Sequence, residues 1–133
     1  MTTESRPSIR ATSVTVMTPD PFALADFYAR LLGVEVATRE PAPPGAPDVA
    51  GFAQVRMPHL TLNFEYEERW SRPVWPAEAG RQSATQHLDL WVEDLDAASA
   101  WATRCGAVVA GTQPQDDVRV FLDPVGHPFC LFL

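Results

Sequence analysis

The sequence predicts an α+β fold made of two βαβββ modules, and three observations carry that expectation. A strand-then-helix unit occurs twice, as SVTVMTPDPFALADFYARLLG from Ser13 and as HLDLWVEDLDAASAWATRCG from His87, an offset of 74 positions that superposes Asp20 on Asp94, Phe27 on Trp101 and Arg30 on Arg104. Each unit is followed by three short segments with strand-like alternation, punctuated by Pro and Gly where turns belong. A stretch rich in Pro and small residues, RWSRPVWPAEAGRQSAT, separates the two halves. The expected organisation is one domain over 1–133, with module one at about 8–68, a connector at about 69–85 and module two at about 86–133.

In the first unit Val14 and Val16 point to one side of a strand while Ser13, Thr15 and Met17 point to the other, as a period of two requires. Asp20 can then cap a helix whose first residue, Pro21, has no N–H to lose. Leu24, Phe27, Tyr28 and Leu31 form its apolar stripe and Gly33 stops it. In the second unit Leu88, Leu90 and Val92 face the helix, Asp94 caps, and Ala97, Ala98, Trp101, Ala102 and Cys105 make the stripe. The glycines, Gly33 and Gly106, miss the offset by one. The segments that follow are VEVATRE, the loop PAPPGAP, GFAQVRM and HLTLNFEYE in the first half, and AVVAGTQ, DVRVFLD and PFCLFL in the second.

Composition removes several function classes. All ten basic residues are arginine, against seventeen acids, for a formal charge of −7. A surface this acidic repels phosphate backbones, so no nucleic-acid partner is expected. The absence of lysine rules out a side-chain Schiff base and a P-loop lysine. No apolar run approaches the roughly 20 residues of a membrane span, and the polar start MTTESRPSIRATS lacks the apolar core of a secretory signal. A cytoplasmic location with no membrane partner is the expectation. Cys105 and Cys130 match no zinc-knuckle or CxxC spacing and read as free thiols.

The βαβββ repeat, the helix DPFALADFYARLLG, the segment HLDLWVEDLDAA and the ending LDPVGHPFCLFL together resemble the vicinal oxygen chelate superfamily of glyoxalases, bleomycin-resistance proteins and extradiol dioxygenases. Within it, the likeness is strongest to glyoxalase-like domains of actinobacterial type. It spans about Ser8 to Leu133. The resemblance implies that the two curved mixed sheets form a cup, with helices on the convex side and a small-molecule pocket on the concave side. Parity then lines the cup with Ser13, Thr15, Thr61, Asn63, Glu65, His87, Asp89, Trp91, Cys130 and Phe132.

Metal-dependent members hold one divalent ion with ligands from the first and last strands of each module. Carried onto this chain, those positions are Ser13, His87, Cys130 and, for module one's last strand, either Asn63 or Glu65. Only His87 matches the family's ligand type clearly, so no cofactor is assigned. A divalent metal (zinc, nickel, manganese or iron) on His87, Glu65 and Cys130 remains an open alternative. His59 and His127 read as turn histidines and Asp123 as a turn former before Pro124. Trp70 and Trp75 read either as packing within the connector or a subunit contact, or as ligand contacts; Tyr66 and Glu67 stand near the rim, and specificity would rest on the loop at 41–50.

Two functions follow from the resemblance. One is a lyase or isomerase acting on a small organic metabolite, with His87 and Glu65 exchanging a proton with it. The other is a protein that sequesters a drug or natural product without chemistry, as bleomycin-resistance members do. Either would take a small-molecule ligand, and the expected assembly is a homodimer, with the cup closed within one chain or across two.

Overall fold

The computed structural model describes residues 4–133; the first three residues of the polar start and of the 1–133 span lie outside the described residues. Module one runs β1 (Ser13–Thr18), α1 (Pro21–Leu32), β2 (Val36–Glu40), β3 (Phe52–Arg56) and β4 (Thr61–Tyr66). Module two runs β5 (Leu88–Trp91), α2 (Leu95–Cys105), β6 (Val108–Val109), β7 (Val118–Leu122) and β8 (Pro128–Phe132). The fold is α+β, with two four-stranded mixed sheets in the orders β1-β4-β3-β2 and β5-β8-β7-β6. In each sheet the module's first strand runs parallel to its last, Ser13 opposite Thr61 and Leu88 opposite Phe129, while the remaining neighbours are antiparallel.

Both helices start and stop where their local chemistry dictates. The Asp20 carboxylate accepts from the Ala23 N–H and the Asp94 carboxylate from the Ala97 N–H, which satisfies an otherwise orphaned donor in each first turn. Gly33 and Gly106 take left-handed φ values of 71° and 110° and return their N–H groups to the last-turn carbonyls. The one-residue mismatch in the repeat has a simple origin: α1 has 12 residues and α2 has 11. The segment AVVAGTQ shortens to a two-residue strand because the Gln113 amide takes over the pairing. Its Nε2 donates to the carbonyls of Ala110 and Val120, and its Oε1 accepts from the Val120 N–H.

The helices lie between the two sheets. Leu24, Ala25, Phe27, Tyr28 and Ala29 of α1 are all buried, more than one stripe's worth. The Tyr28 ring stacks on Phe64 of β4 at 5.7 Å and meets Phe129 of β8 edge-on at 6.3 Å, so one side chain touches the inner faces of both sheets. Phe27 also reaches Phe129, at 6.2 Å. The expected stripe of α2 is shallower, with only Leu95 and Ala102 buried. Trp101 stays partly exposed because it caps the neighbouring helix: its indole N–H donates to the Leu31 carbonyl, while Arg30 donates to the Arg104 carbonyl. Each helix thus supplies a donor to the other's C-terminal turn, where carbonyls lack partners. Among the described residues no strand of one sheet lies against a strand of the other. The sheets are not closed onto each other, and the face each leaves uncovered by helix is the outer one.

A polar tie locks this arrangement. The Tyr28 hydroxyl donates to the Asp123 carboxylate at 2.6 Å across the module boundary, and the same carboxylate accepts from the Val125 and His127 N–H groups. The His127 imidazole in turn sits 2.9 Å from the Met17 carbonyl on the open edge of β1. Burial pushes the Asp123 carboxyl above its ordinary range, against the opposing pull of the Tyr28 hydrogen bond and of His127, and burial and Asp123 together push the Tyr28 phenol well up.

Two outcomes are expected from this tie. Tyr28→Phe leaves the buried Asp123 carboxylate short of a donor and lowers unfolding free energy at pH 7 by about 1.5–3 kcal/mol, read from denaturant midpoints. Because the folded pKa of Asp123 lies above its unfolded value, the folded state binds the extra proton, so stability falls as pH rises from about 4 through the raised folded pKa. Asp123→Asn should flatten that fall.

Candidate functional site

The outer face of the first sheet is polar. Successive rows across β1, β4 and β3 are Ser13, Thr61 and Arg56; Thr15, Asn63 and Gln54; and Met17, Glu65 and Phe52. The middle row is tied into a chain of hydrogen bonds. Gln54 Nε2 donates to Asn63 Oδ1 at 2.8 Å, Asn63 Nδ2 donates to Thr15 Oγ1 at 3.4 Å, and Arg56 donates to Gln54 Oε1 at 3.1 Å. Long polar side chains that would otherwise move freely are thereby held in fixed directions, which lowers the entropic cost of gripping a ligand.

The outer face of the second sheet is aromatic and apolar around a small polar cluster. Asp89, Cys130 and Val120 form one row, and Trp91, Phe132 and Val118 the next. His87 stands one residue before β5, with its Nε2 2.8 Å from Cys130 Sγ. Asp89 completes the group: the ligand atoms of His87, Asp89 and Cys130 all lie within 4.8 Å of one another. The connector's Trp75 packs over Cys130, Val120 and Ala110, which leaves Cys130 only 5% exposed while His87 and Asp89 remain open. Burial pushes the Cys130 thiol up, and Asp89 adds to the rise. Trp91 is 64% exposed, a large ring turned to solvent at a sheet edge.

Three hollows border these faces. One of 480 Å³ runs between the β1 edge and the connector and includes Thr15, Met17, Trp70, Gln86 and His127. A second, of 680 Å³, lies under the loop at 41–50 and is bounded by Glu40, Phe52, Glu65, Tyr66 and Glu68. A third, of 320 Å³, lies between Trp75 and His87.

Parity places the expected lining residues on the outer faces: Ser13, Thr15, Thr61, Asn63 and Glu65 on the first sheet, and His87, Asp89, Trp91, Cys130 and Phe132 on the second. The two groups lie on different sheets, and none of these three hollows is lined by residues of both. Glu65 lies on β4, module one's last strand, as expected, and the residue grouped with His87 and Cys130 is Asp89. The four positions of the family's metal set fall two on each sheet. His59 is exposed and borders none of the three hollows. His127, expected as a turn histidine, is buried with its ring on the Met17 carbonyl and Trp70 edge-on at 5.0 Å, and it also lines the first hollow. Gln54, Arg56 and the position of Trp75 were missed. The first two carry a signal, because Phe52, Gln54 and Arg56 alternate with the buried Ala53 and Val55.

The family model described as glyoxalase-like domain matches residues 13–132. This chain belongs to the glyoxalase-like domain family. Solved structures agree with the glyoxalase-like architecture. A glyoxalase family protein from Enterococcus faecalis is 21% identical with a TM-score of 0.63, over 95% of this chain and 97% of that one. TnmS3, an antibiotic binding protein from Streptomyces sp. CB03234, is 21% identical with a TM-score of 0.61, over 96% and 98%. A mutant of the fosfomycin resistance protein FosX from Listeria monocytogenes, solved with Mn(II) and 1S,2S-dihydroxypropylphosphonic acid, is 12% identical with a TM-score of 0.65, over 96% and 90%. At these identities the likeness speaks for the fold, the glyoxalase and bleomycin-resistance fold of two βαβββ modules. No curated protein matches the chain. Among the described residues, no helix of this glyoxalase-like domain is long and apolar enough to cross a membrane.

The Asp89 contribution to the Cys130 thiol is open to direct measurement. Asp89→Asn should lower the Cys130 pKa and speed its alkylation near pH 8 by a factor of roughly 2–10. Cys105, on α2, serves as the internal control in the same mass-spectrometric time course.

Proposed function

We propose that this glyoxalase-like protein binds a small organic molecule and sequesters it without transforming it, in a cup closed by two copies of the chain. The make-up of the two walls carries this reading: one is a row of hydrogen-bonded polar side chains and the other is aromatic, with Ser13 and Cys130 at two of the positions where metal-dependent members place ligands. The faces themselves suit binding. The first sheet supplies the oriented polar row of Thr15, Asn63, Gln54 and Arg56, and the second supplies Trp91, Phe132 and Trp75. A ligand with a flat apolar body and hydrogen-bonding groups along one edge complements that pair. The similarity to TnmS3, an antibiotic binding protein, supports a drug-like or natural-product ligand.

The same facts support a homodimer. Each copy exposes one polar and one aromatic wall, and a second copy can face its aromatic wall to the first copy's polar wall, giving two equivalent cups. The domain then works as a unit in which the modules at about 8–68 and 86–133 serve different cups. The charge of −7 supports a partner list without nucleic acid, and the free thiols Cys105 and Cys130 support a cytoplasmic location.

The second reading, a lyase or isomerase, draws on one observation: Glu65 and His87 both sit on outer faces, so closure would bring Glu65 of one copy toward His87 of the other. The experiment that separates the readings is a tryptophan-fluorescence titration with a panel of planar natural-product antibiotics, followed by recovery of the ligand. Sequestration predicts saturable quenching, unchanged ligand after prolonged incubation, and at least about tenfold weaker binding in Trp91→Ala. Conversion of the ligand that Glu65→Gln abolishes would overturn sequestration in favour of the enzyme.

A further inference from the structure

We infer that the 480 Å³ hollow between the β1 edge and the connector is a second ligand site, complete within one chain, for a small aromatic carboxylate that carries an N–H or O–H donor on its ring. Its walls are the connector, the edge strand β1 and the turn before β8. It takes none of the second sheet's outer face and needs no second copy.

Contacts along the connector hold the hollow in shape. Arg72 donates to the Pro124 carbonyl at 3.0 Å, and the Val74 N–H donates to the Gln82 carbonyl at 2.8 Å, so the connector is pinned both to the turn and to itself. Gly126, at φ 98°, lets the turn pass close to Arg72, since a Cβ there would lie 2.9 Å from that side chain. Trp70 is thereby set edge-on to His127 at 5.0 Å. A hollow built in advance costs a ligand little ordering, and this volume lies within the range of small-molecule pockets.

The chemistry of the lining names the ligand. His127 is only 7% exposed, and its Nε2 must donate to the Met17 carbonyl at 2.9 Å, because a carbonyl can only accept. In the neutral ring Nδ1 is then an acceptor. It has no hydrogen-bond partner among the described residues and is not sealed within protein, so it opens on the hollow that the ring borders and calls for a donor. Arg69, also on the hollow, makes no ion pair among the described residues. The neighbouring Glu67 carboxylate is already engaged, accepting from the Arg69 backbone N–H at 2.9 Å. A guanidinium without a carboxylate of its own suits a ligand that brings one. The Trp70 indole, with Met17 and Pro73, adds apolar surface on which a flat ring can lie. Donor, carboxylate and ring are the three demands of one ligand.

The test titrates the full chain with indole-3-carboxylate by isothermal calorimetry. The expected result is saturable binding of one equivalent per chain. Benzofuran-3-carboxylate, which has the same shape with a ring oxygen in place of the N–H, should bind at least about fivefold more weakly, because Nδ1 then loses water without gaining a donor. Indole, which lacks the carboxylate, should bind at least about tenfold more weakly. Arg69→Gln should remove the preference for the acid over indole and leave antibiotic quenching in the cup unchanged. His127 is tied into the fold, so its part is read in the wild-type chain, where the ligand should shift the His127 Nδ1 resonance of nitrogen-15-labelled protein. Absence of saturation up to ~5 mM would overturn the site. So would equal affinity for the indole and benzofuran acids, or an Nδ1 resonance that does not move. Binding lost in Trp91→Ala but kept in Arg69→Gln would also overturn it, because the acid would then lie in the cup. Ligand sequestration is read separately, by quenching with the antibiotic panel, so either proposal can fail alone.

Discussion

The position of one ring decides most of this structure. Tyr28 lies between Phe64 of the first sheet and Phe129 of the second, with its hydroxyl tied to a buried aspartate of the opposite module. An aromatic side chain packed on both sides contributes several kcal/mol to the core, and the charge-assisted hydrogen bond fixes the angle at which the modules meet. The helix-facing sides of the two sheets share a core, and their other sides look outward.

The division of chemistry follows from that geometry. The outer face of the first sheet has no helix to pack on, so it carries Thr15, Gln54, Asn63 and Arg56, whose polar atoms satisfy one another in a row. The outer face of the second would expose Val120 and Cys130, and the connector covers them with Trp75. Trp91 and Asp89 are left uncovered at the β5 edge. An edge strand with an exposed indole and unpaired backbone groups is a surface that native chains ordinarily cover or block. In the proposed dimer a second copy would answer both demands with its polar wall.

Local features of the fold were legible in the sequence. Asp20 and Asp94 cap helices because a short carboxylate can reach the first-turn N–H groups, and that reach depends on nothing distant. Parity put His87, Asp89 and Cys130 on one face for an equally local reason. What parity cannot give is which face lies opposite which, so it could not say whether Glu65 of module one and His87 of module two belong to one pocket. The trace of the true arrangement lay in FALADFYA: Ala25 and Ala29 extend the apolar stripe of α1 past one side, as expected of a helix covered by two sheets. Trp75 left no such trace, because a connector without periodicity does not announce the surface it folds over.

The claim on which the account turns is that a single chain holds two half-cups and only a pair holds a whole one. Sedimentation equilibrium over a dilution series, with ligand quenching followed on the same samples, tests it. The account predicts a species of twice the 14.6 kDa chain mass, with ligand binding lost in step with dissociation. A species of 14.6 kDa that binds ligand with undiminished affinity would contradict it.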